Sequence, residues 1–215
     1  MVRMTLNTTY YIEQLKNTPQ NGQIILGYQT DDMIVVYQAY NNQIAEYAVA
    51  NQKLGGAHFS YNRMSWIKPN FLWMMYRCGW AEKENQENVI ALWIRKTDFE
   101  AILEQAVYSS FQEHIYTSRE TWKNELEKKE VRLQWDPDHD PCGNKEERRA
   151  IQLGLKGEIL KKFGQEMIQK IENITDFVKF QKQLVNNNDI NNLQVPVESV
   201  YVTKNQSLNQ KLGLA

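Results

Sequence analysis

Two stretches of the chain are continuously apolar, and both predict buried β-strands. Residues 33–40 have the sequence MIVVYQAY and residues 89–94 have the sequence VIALWI, so both are rich in β-branched and aromatic side chains. Further strands are predicted over residues 131–135 and 150–155. The Asp-, Pro- and Gly-rich segment between these two strands predicts a hairpin with a long loop.

Apolar residues at helical spacing predict helices between and after these strands. The predicted helices cover residues 10–15, 43–52, 69–77, 97–108, 117–129, 158–173 and 175–184. Strands and helices follow in mixed order and do not alternate strictly. This order predicts an α+β fold with a mixed, partly antiparallel sheet packed with helices, and with the last two helices as a C-terminal helical pair.

The length of 215 residues favours one domain with short additions at its ends. Residues 1–22 are polar and are interpreted as an N-terminal extension, and residues 23–185 as the single α+β domain. Residues 186–192 are rich in asparagine, which is typical of a linker. Residues 186–215 are therefore predicted to form an amide-rich linker and a C-terminal strap.

Charge and cysteine content narrow the class of protein. The 25 basic and 26 acidic residues nearly cancel, which argues against attachment to nucleic acid or membrane by bulk charge. No secretory signal and no apolar run of about 18 residues is visible. Two distant cysteines fit a reducing compartment, so we expect a cytoplasmic protein without a membrane partner. The common nucleotide-binding and hydrolase motifs are also missing, and no catalytic residue can be assigned.

The strongest chemical signal is the aromatic and basic segment 59–80. It contains seven aromatic residues, three basic residues (Arg63, Lys68 and Arg77) and no acid. Guanidinium and ammonium groups bind phosphates, and a ring such as that of Trp66 or Tyr40 can stack on a base. A helix that begins at Pro69 would also offer N–H groups to an anion near Lys68.

A structural interpretation of the same segment stays open. Residues 71–75 are apolar all around the predicted helix, which is typical of a core helix. The three basic residues could then form a solvated rim or structural ion pairs.

Three glutamines lie within apolar strands, at Gln38, Gln134 and Gln152. An unpaired buried amide costs about 1–3 kcal/mol, so each of them needs a partner. The glutamines either share a polar pocket that binds a ligand, or tie two strands together, or face the surface from their strands.

The acidic segment 136–147 has part of the pattern of a metal site. Asp136, Asp138 and Asp140 have the spacing of a calcium loop, but Pro141 stands where the loop needs glycine. Zinc ligation by His139 and Cys142 would lack two further ligands. The segment is therefore interpreted as a solvated hairpin loop, and no metal is expected.

Four motifs carry a resemblance to a known family: VYQAY at 36–40, RMSWIKPNFLWMMYR at 63–77, QWDP at 134–137 and RAIQLG at 149–154. In these motifs, and over residues 23–201, the chain resembles the bacterial and fungal family called domain of unknown function 4291. Arg149 in the last motif joins the candidate ligand-binding residues.

A looser similarity suggests a chemistry. A strand that ends aromatic–polar–small–aromatic, followed by a helix and an aromatic-serine segment, is similar to the start of ADP-ribosyltransferase domains, which cleave NAD. Gln38 stands where those enzymes carry His or Arg, and Gln152 where they often carry Glu. This similarity implies a related fold and NAD as the candidate cofactor.

Our leading hypothesis is that the domain binds a nucleotide-like, phosphate-bearing ligand. The catalytic version of this hypothesis is an ADP-ribosyltransferase-like enzyme that uses NAD. The alternatives are a module that binds a single-stranded nucleic-acid end without catalysis, and a protein-interaction domain. The candidate ligand-binding residues are Gln38, Tyr40, Arg63, Trp66, Lys68, Arg77, Gln134, Arg149 and Gln152.

Overall fold

The computed structural model describes residues 5–214, which contain twelve strands and eight α-helices. Residues 1–4 of the predicted N-terminal extension and residue 215 of the predicted strap lie outside the described residues. The strands are β1 (Thr8–Tyr10), β2 (Gln23–Ile24), β3 (Leu26–Tyr28), β4 (Met33–Tyr40), β5 (Ser65–Ile67), β6 (Asn88–Arg95), β7 (Ala106–Tyr108), β8 (Val131–His139), β9 (Lys145–Leu155), β10 (Ile168–Asn173), β11 (Gln194–Pro196) and β12 (Glu198–Val200). The helices are α1 (Tyr11–Lys16), α2 (Asn42–Asn51), α3 (Phe71–Cys78), α4 (Lys96–Glu104), α5 (Arg119–Lys128), α6 (Gly157–Lys162), α7 (Thr175–Asn186) and α8 (Gln206–Leu212).

Two main sheets organise the chain, and they confirm the predicted α+β class. The first is antiparallel with the order β10-β6-β4. The second has the order β2-β9-β8-β7, with β5 also paired to β9. It is mixed, because β8 and β5 run antiparallel to β9 whereas β2 runs parallel to it. Tyr37 of β4 and Lys68 exchange backbone hydrogen bonds of 2.7 and 3.3 Å, which join the two sheets at this point.

The first sheet is buried on both faces, which explains why its strands are continuously apolar. Val36 and Leu92 belong to a core cluster shared with β8 and β9. Tyr37 and Trp93 point to the opposite face and pack in a second cluster, together with Phe71 of α3. The strands predicted over 33–40 and 89–94 are therefore confirmed, with β6 one residue longer at each end.

The helix predicted over residues 158–173 is wrong in its second half. Helix α6 ends at Lys162, one π-helical turn follows over 163–167, and residues 168–173 form β10 against β6. The pairing shifts register between Ile168 and Lys170, so Ile168 and Ile171 are both buried although they are three positions apart. A β-bulge thus produces an apolar spacing that resembles one helical turn. A strand consequently separates the two helices that were expected to form a C-terminal pair.

Other boundaries also differ from the prediction. The helix predicted over 97–108 ends at Glu104, because residues 106–108 pair with β8 as β7. The helix predicted from Pro69 begins at Phe71, where the Asn70 side chain caps it. The predicted long hairpin loop is wrong, because β8 extends to His139 and β9 starts at Lys145.

The N-terminal and C-terminal parts of the described chain pair with each other. Strand β11 pairs with β1, and β12 pairs with β3. The division into an extension, one domain and a strap stays a prediction. None of the helices in residues 5–214 is both long enough and apolar enough to cross a membrane.

Candidate functional site

A cleft of about 820 Å³ opens where the C-terminal end of β4, the segment around β5, helix α3 and the β8–β9 pair meet. Its volume lies within the range of about 300–1,000 Å³ that is usual for small-molecule sites. Eight of the nine candidate ligand-binding residues line it: Gln38, Tyr40, Arg63, Trp66, Lys68, Arg77, Gln134 and Gln152. The structure therefore brings together residues that are up to 114 positions apart in the sequence. Their role in ligand binding stays a prediction.

Local sequence explains how the segment around β5 enters this cleft. Strand β5 pairs with β9 so that Trp66 lies opposite Gly154. A Cβ atom at Gly154 would lie only 3.0 Å from the Trp66 ring, so the glycine lets the indole pack directly on β9. Pro69 then ends the extended segment, and the Asn70 side chain accepts a hydrogen bond from the Trp73 N–H to start α3. These features fix Lys68 between β5 and α3.

Lys68 is the most unusual group in the cleft. Only 6% of the residue is exposed, yet its ammonium forms no ion pair within residues 5–214. Burial, together with the positive charge of Arg77, lowers the pKa of Lys68 to about 8, while Cys78 and Asp136 act in the opposite direction. A buried cation without a counter-ion is costly, so the site is suited to an anion.

Two exposed arginines extend this positive region to the rim of the cleft. Neither Arg63 nor Arg77 forms an ion pair in the part of the chain that the structure describes. The Arg77 guanidinium lies 6.0 Å from the centroid of the Trp73 ring, at the limit of a cation–π contact. The alternative that Arg63, Lys68 and Arg77 form structural ion pairs is therefore wrong for residues 5–214.

The alternative that residues 71–75 belong to the core is confirmed, since all five are buried.

A carboxylate that the sequence analysis missed lies across from these cations. Asp136 accepts one hydrogen bond from the Gln134 amide and one from the Gln152 amide, both at 2.8 Å. Gln134 and Gln152 lie directly opposite each other in the β8–β9 pair. Asp136 follows Gln134 by two residues and therefore shares its face of the strand. The two-residue spacing between Gln134 and Asp136 is the sequence signal for this shared face. The predicted hairpin loop includes Asp136 and therefore does not use this signal.

The amide of Gln38 holds β5 in place. It donates to Ser65 Oγ at 2.8 Å and to the Trp66 carbonyl at 3.1 Å, while its own carbonyl oxygen is buried without a partner. The Tyr40 hydroxyl lies 3.0 Å from the same Ser65 oxygen, and burial raises the pKa of Tyr40 well above its usual value. The Tyr40 ring also packs edge-on against Phe59, at a centroid distance of 6.0 Å. Gln38 and Tyr40 thus use some of their hydrogen-bonding groups for contacts within the protein.

The anion site predicted at the start of the helix after Pro69 is wrong. The Phe71 N–H donates to the Glu198 carboxylate at 2.7 Å, and the Trp73 N–H donates to Asn70. Glu198 is buried, and this burial raises its pKa well above the usual range for a carboxyl group. A side chain from the C-terminal segment therefore occupies the position that a ligand phosphate was expected to take.

Arg149 is the one candidate residue that the cleft does not include. It lines a neighbouring cavity of about 530 Å³, and its guanidinium donates to the Trp135 carbonyl at 2.7 Å. Gln134 and Asp136 line both cavities.

The acidic segment does not assemble a metal site. Asp136 binds two glutamine amides, Asp138 forms a buried ion pair with Arg148 at 2.6 Å, and Asp140 accepts from Asn144. The three aspartates therefore have separate partners. Within residues 5–214, no group of three or more His, Cys, Asp or Glu side chains is placed to hold a metal ion.

Comparison with known proteins places the sequence in a family. The family model described as domain of unknown function DUF4291 matches residues 24–201. The chain belongs to the DUF4291 family. The match confirms the resemblance seen in the four motifs, and the part of the chain assigned to DUF4291 includes every residue that lines the cleft. No curated protein matches the sequence.

Proposed function

We propose that this DUF4291 domain binds a nucleotide-like, phosphate-bearing ligand in the cleft. The observation that carries the proposal is Lys68, a residue only 6% exposed that lines the cleft and whose ammonium has no carboxylate partner in residues 5–214. Burial of such a cation destabilises the folded state by its desolvation free energy, and a ligand phosphate would supply the missing counter-charge. Arg63 and Arg77 add two further cations that hold the same phosphate group or its neighbour.

Other residues that line the cleft suit the nucleoside part of the ligand. The half-buried Trp66 offers an aromatic surface on which a base can stack. The Asp136 carboxylate accepts hydrogen bonds, so it fits a ribose hydroxyl or a base N–H and repels phosphate. Cations at one side and an acceptor at the other therefore fix the orientation of a nucleotide.

The catalytic form of the proposal is an ADP-ribosyltransferase-like reaction with NAD. Gln38 and Gln152 cannot act as general bases, so they position groups and do not transfer protons. Asp136 is the carboxylate in the cleft that would stabilise positive charge as the bond between ribose and nicotinamide breaks. Nicotinamide leaves in this step and an acceptor nucleophile takes its place. Release of nicotinamide from NAD by the wild-type protein, and its loss in Asp136→Asn, is the assay for this form.

Calorimetric titration tests the binding proposal directly. ATP, ADP-ribose and NAD should bind, whereas adenosine, which has no phosphate, should bind far more weakly. Lys68→Met keeps the length of the side chain but removes the charge, and it should weaken nucleotide binding by at least tenfold.

The control variant is Lys179→Met, on an exposed position of α7, which should bind nucleotides like the wild type. Failure of every phosphate-bearing ligand to bind would overturn the proposal. Equal binding by Lys68→Met and wild type would also overturn it.

A single-stranded nucleic-acid end is the alternative ligand for the same cleft. Its exposed rim arginines favour this alternative, because a polymer has further phosphates to contact them. A 5′-phosphorylated oligonucleotide that binds more tightly than ATP, with strong dependence on salt, would support the module over the enzyme. The interaction-domain alternative predicts that neither ligand binds.

A further inference from the structure

We infer that the cavity lined by Arg149 is a second anion subsite for the ligand of the larger cleft. This ligand therefore carries two phosphate groups, one on each side of a hydroxyl-bearing sugar. This inference rests on the proposed function. It concerns the class of ligand and not whether the cleft binds a nucleotide.

The shape of the second cavity follows from unequal strand lengths. Strand β7 pairs with β8 only as far as Leu133, and the Ser109 N–H closes this pairing on the Leu133 carbonyl at 2.8 Å. Strand β8 continues to His139, so within residues 5–214 no strand pairs with this edge from Gln134 onward. The cavity of about 530 Å³ lies at this unpaired edge, next to the larger cleft.

The two cavities share one wall. Gln134 and Asp136 line both of them, so a ligand that contacts Asp136 in the larger cleft lies beside the second cavity. Asp136 is the one acidic side chain among the described residues that line the second cavity, and Arg149 is the one cation. Hydroxyls of Ser109 and Ser110 add further donors.

Arg149 differs from its neighbour Arg148 in a way that points to a ligand. Arg148 is buried and paired with Asp138 at 2.6 Å. Arg149 is exposed, donates one hydrogen bond to the Trp135 carbonyl, and has no carboxylate partner within residues 5–214. A guanidinium has five N–H donors, so this single bond fixes its position and leaves others for a phosphate.

The charges around the two neighbouring cavities therefore alternate. Lys68, with Arg63 and Arg77, lies on one side of Asp136, and Arg149 lies on the other. The complementary ligand has an anion, then a hydroxyl group, then a second anion. A nucleoside 3′,5′-bisphosphate has this pattern, whereas ADP has the same number of phosphates joined on one side of the sugar.

Calorimetry with AMP, ADP and adenosine 3′,5′-bisphosphate tests the inference. The bisphosphate should bind the wild type at least tenfold more tightly than AMP does. Arg149→Gln should remove this advantage and leave the affinities for AMP and ADP unchanged. Arg149→Lys, which keeps the charge, should retain part of it.

Arg95→Gln is the matched control, because Arg95 is exposed at the far end of β6 from the cleft. It should bind all three nucleotides like the wild type. Equal affinities for AMP and the bisphosphate, or an equal loss of all three nucleotides in Arg149→Gln, would overturn the inference while AMP binding still supports the proposed function. A melting temperature of Arg149→Gln within about 2 °C of the wild type would show that lost affinity is not lost folding.

Discussion

Removal of the Lys68 charge should stabilise the ligand-free protein while it weakens ligand binding. The pKa of Lys68 falls from 10.5 to about 8 on folding, which corresponds to ~3 kcal/mol of destabilisation of the folded state at neutral pH. Methionine has a similar length and no charge, so Lys68→Met removes this cost. The backbone hydrogen bonds between Lys68 and Tyr37 do not depend on the side chain and remain.

The stabilisation should depend on pH in a defined direction. Because the pKa of Lys68 is lower in the folded chain, the unfolded chain binds more protons between pH 8 and pH 10.5. The wild type therefore gains stability from this group as pH rises through that window. The advantage of Lys68→Met should be full below pH 8 and should disappear above pH 10.5.

Thermal unfolding of the two proteins across this pH range is the assay. For a chain of this size, ~3 kcal/mol corresponds to a rise in melting temperature of about 6–12 °C at pH 7. The control Lys179→Met should melt within about 2 °C of the wild type at every pH. A fall in the melting temperature of Lys68→Met at pH 7 would refute the reasoning, because it would mean that the ammonium stabilises the fold.

Four further outcomes follow from the same structure. Nucleotide affinity of the wild type should decrease above pH 8 as Lys68 loses its proton, and calorimetry at pH 7 and pH 9.5 measures this. Asp136→Asn should destabilise the protein by about 1–3 kcal/mol in urea unfolding, because the new amide faces two amide donors. Gly154→Ala should displace Met64 and Trp66 and weaken nucleotide binding, with a stability cost of about 1–3 kcal/mol; unchanged binding would contradict the packing argument. Glu198→Gln should stabilise the protein at pH 7 but not at pH 4, because the raised pKa of Glu198 makes its charged form costly; thermal unfolding at the two pH values checks this.

The elements that the sequence predicted well are those whose burial is uniform. Residues 33–40 are apolar because β4 is buried on both faces, so the pattern and the structure agree to the residue. Residues 168–173 were misassigned because a bulge at Ile168 and Lys170 changes which side chains face inward. A local pattern cannot show such a bulge, since only the partner strand reveals it.

The candidate site also contains residues that the local sequence identifies and residues that only the folded structure brings together. The segment around Lys68 was found because aromatic and basic residues without an acid are unusual anywhere in a chain. The contact between Glu198 and the Phe71 N–H joins residues 127 positions apart, so no local spacing predicts it. Asp136 was visible in the sequence, but its role depends on the antiparallel register that places Gln152 opposite Gln134.

The protonation state of Lys68 is the most direct test of the central claim, which is that this ammonium binds a ligand phosphate. Lysine-selective NMR should give a Lys68 pKa near 8 in the free protein, assigned by its disappearance in Lys68→Met. Saturating ADP should raise that pKa by at least one unit, because a phosphate stabilises the charged form. An unchanged Lys68 resonance at saturating ADP, or a pKa of about 10.4 in the free protein, would contradict the account.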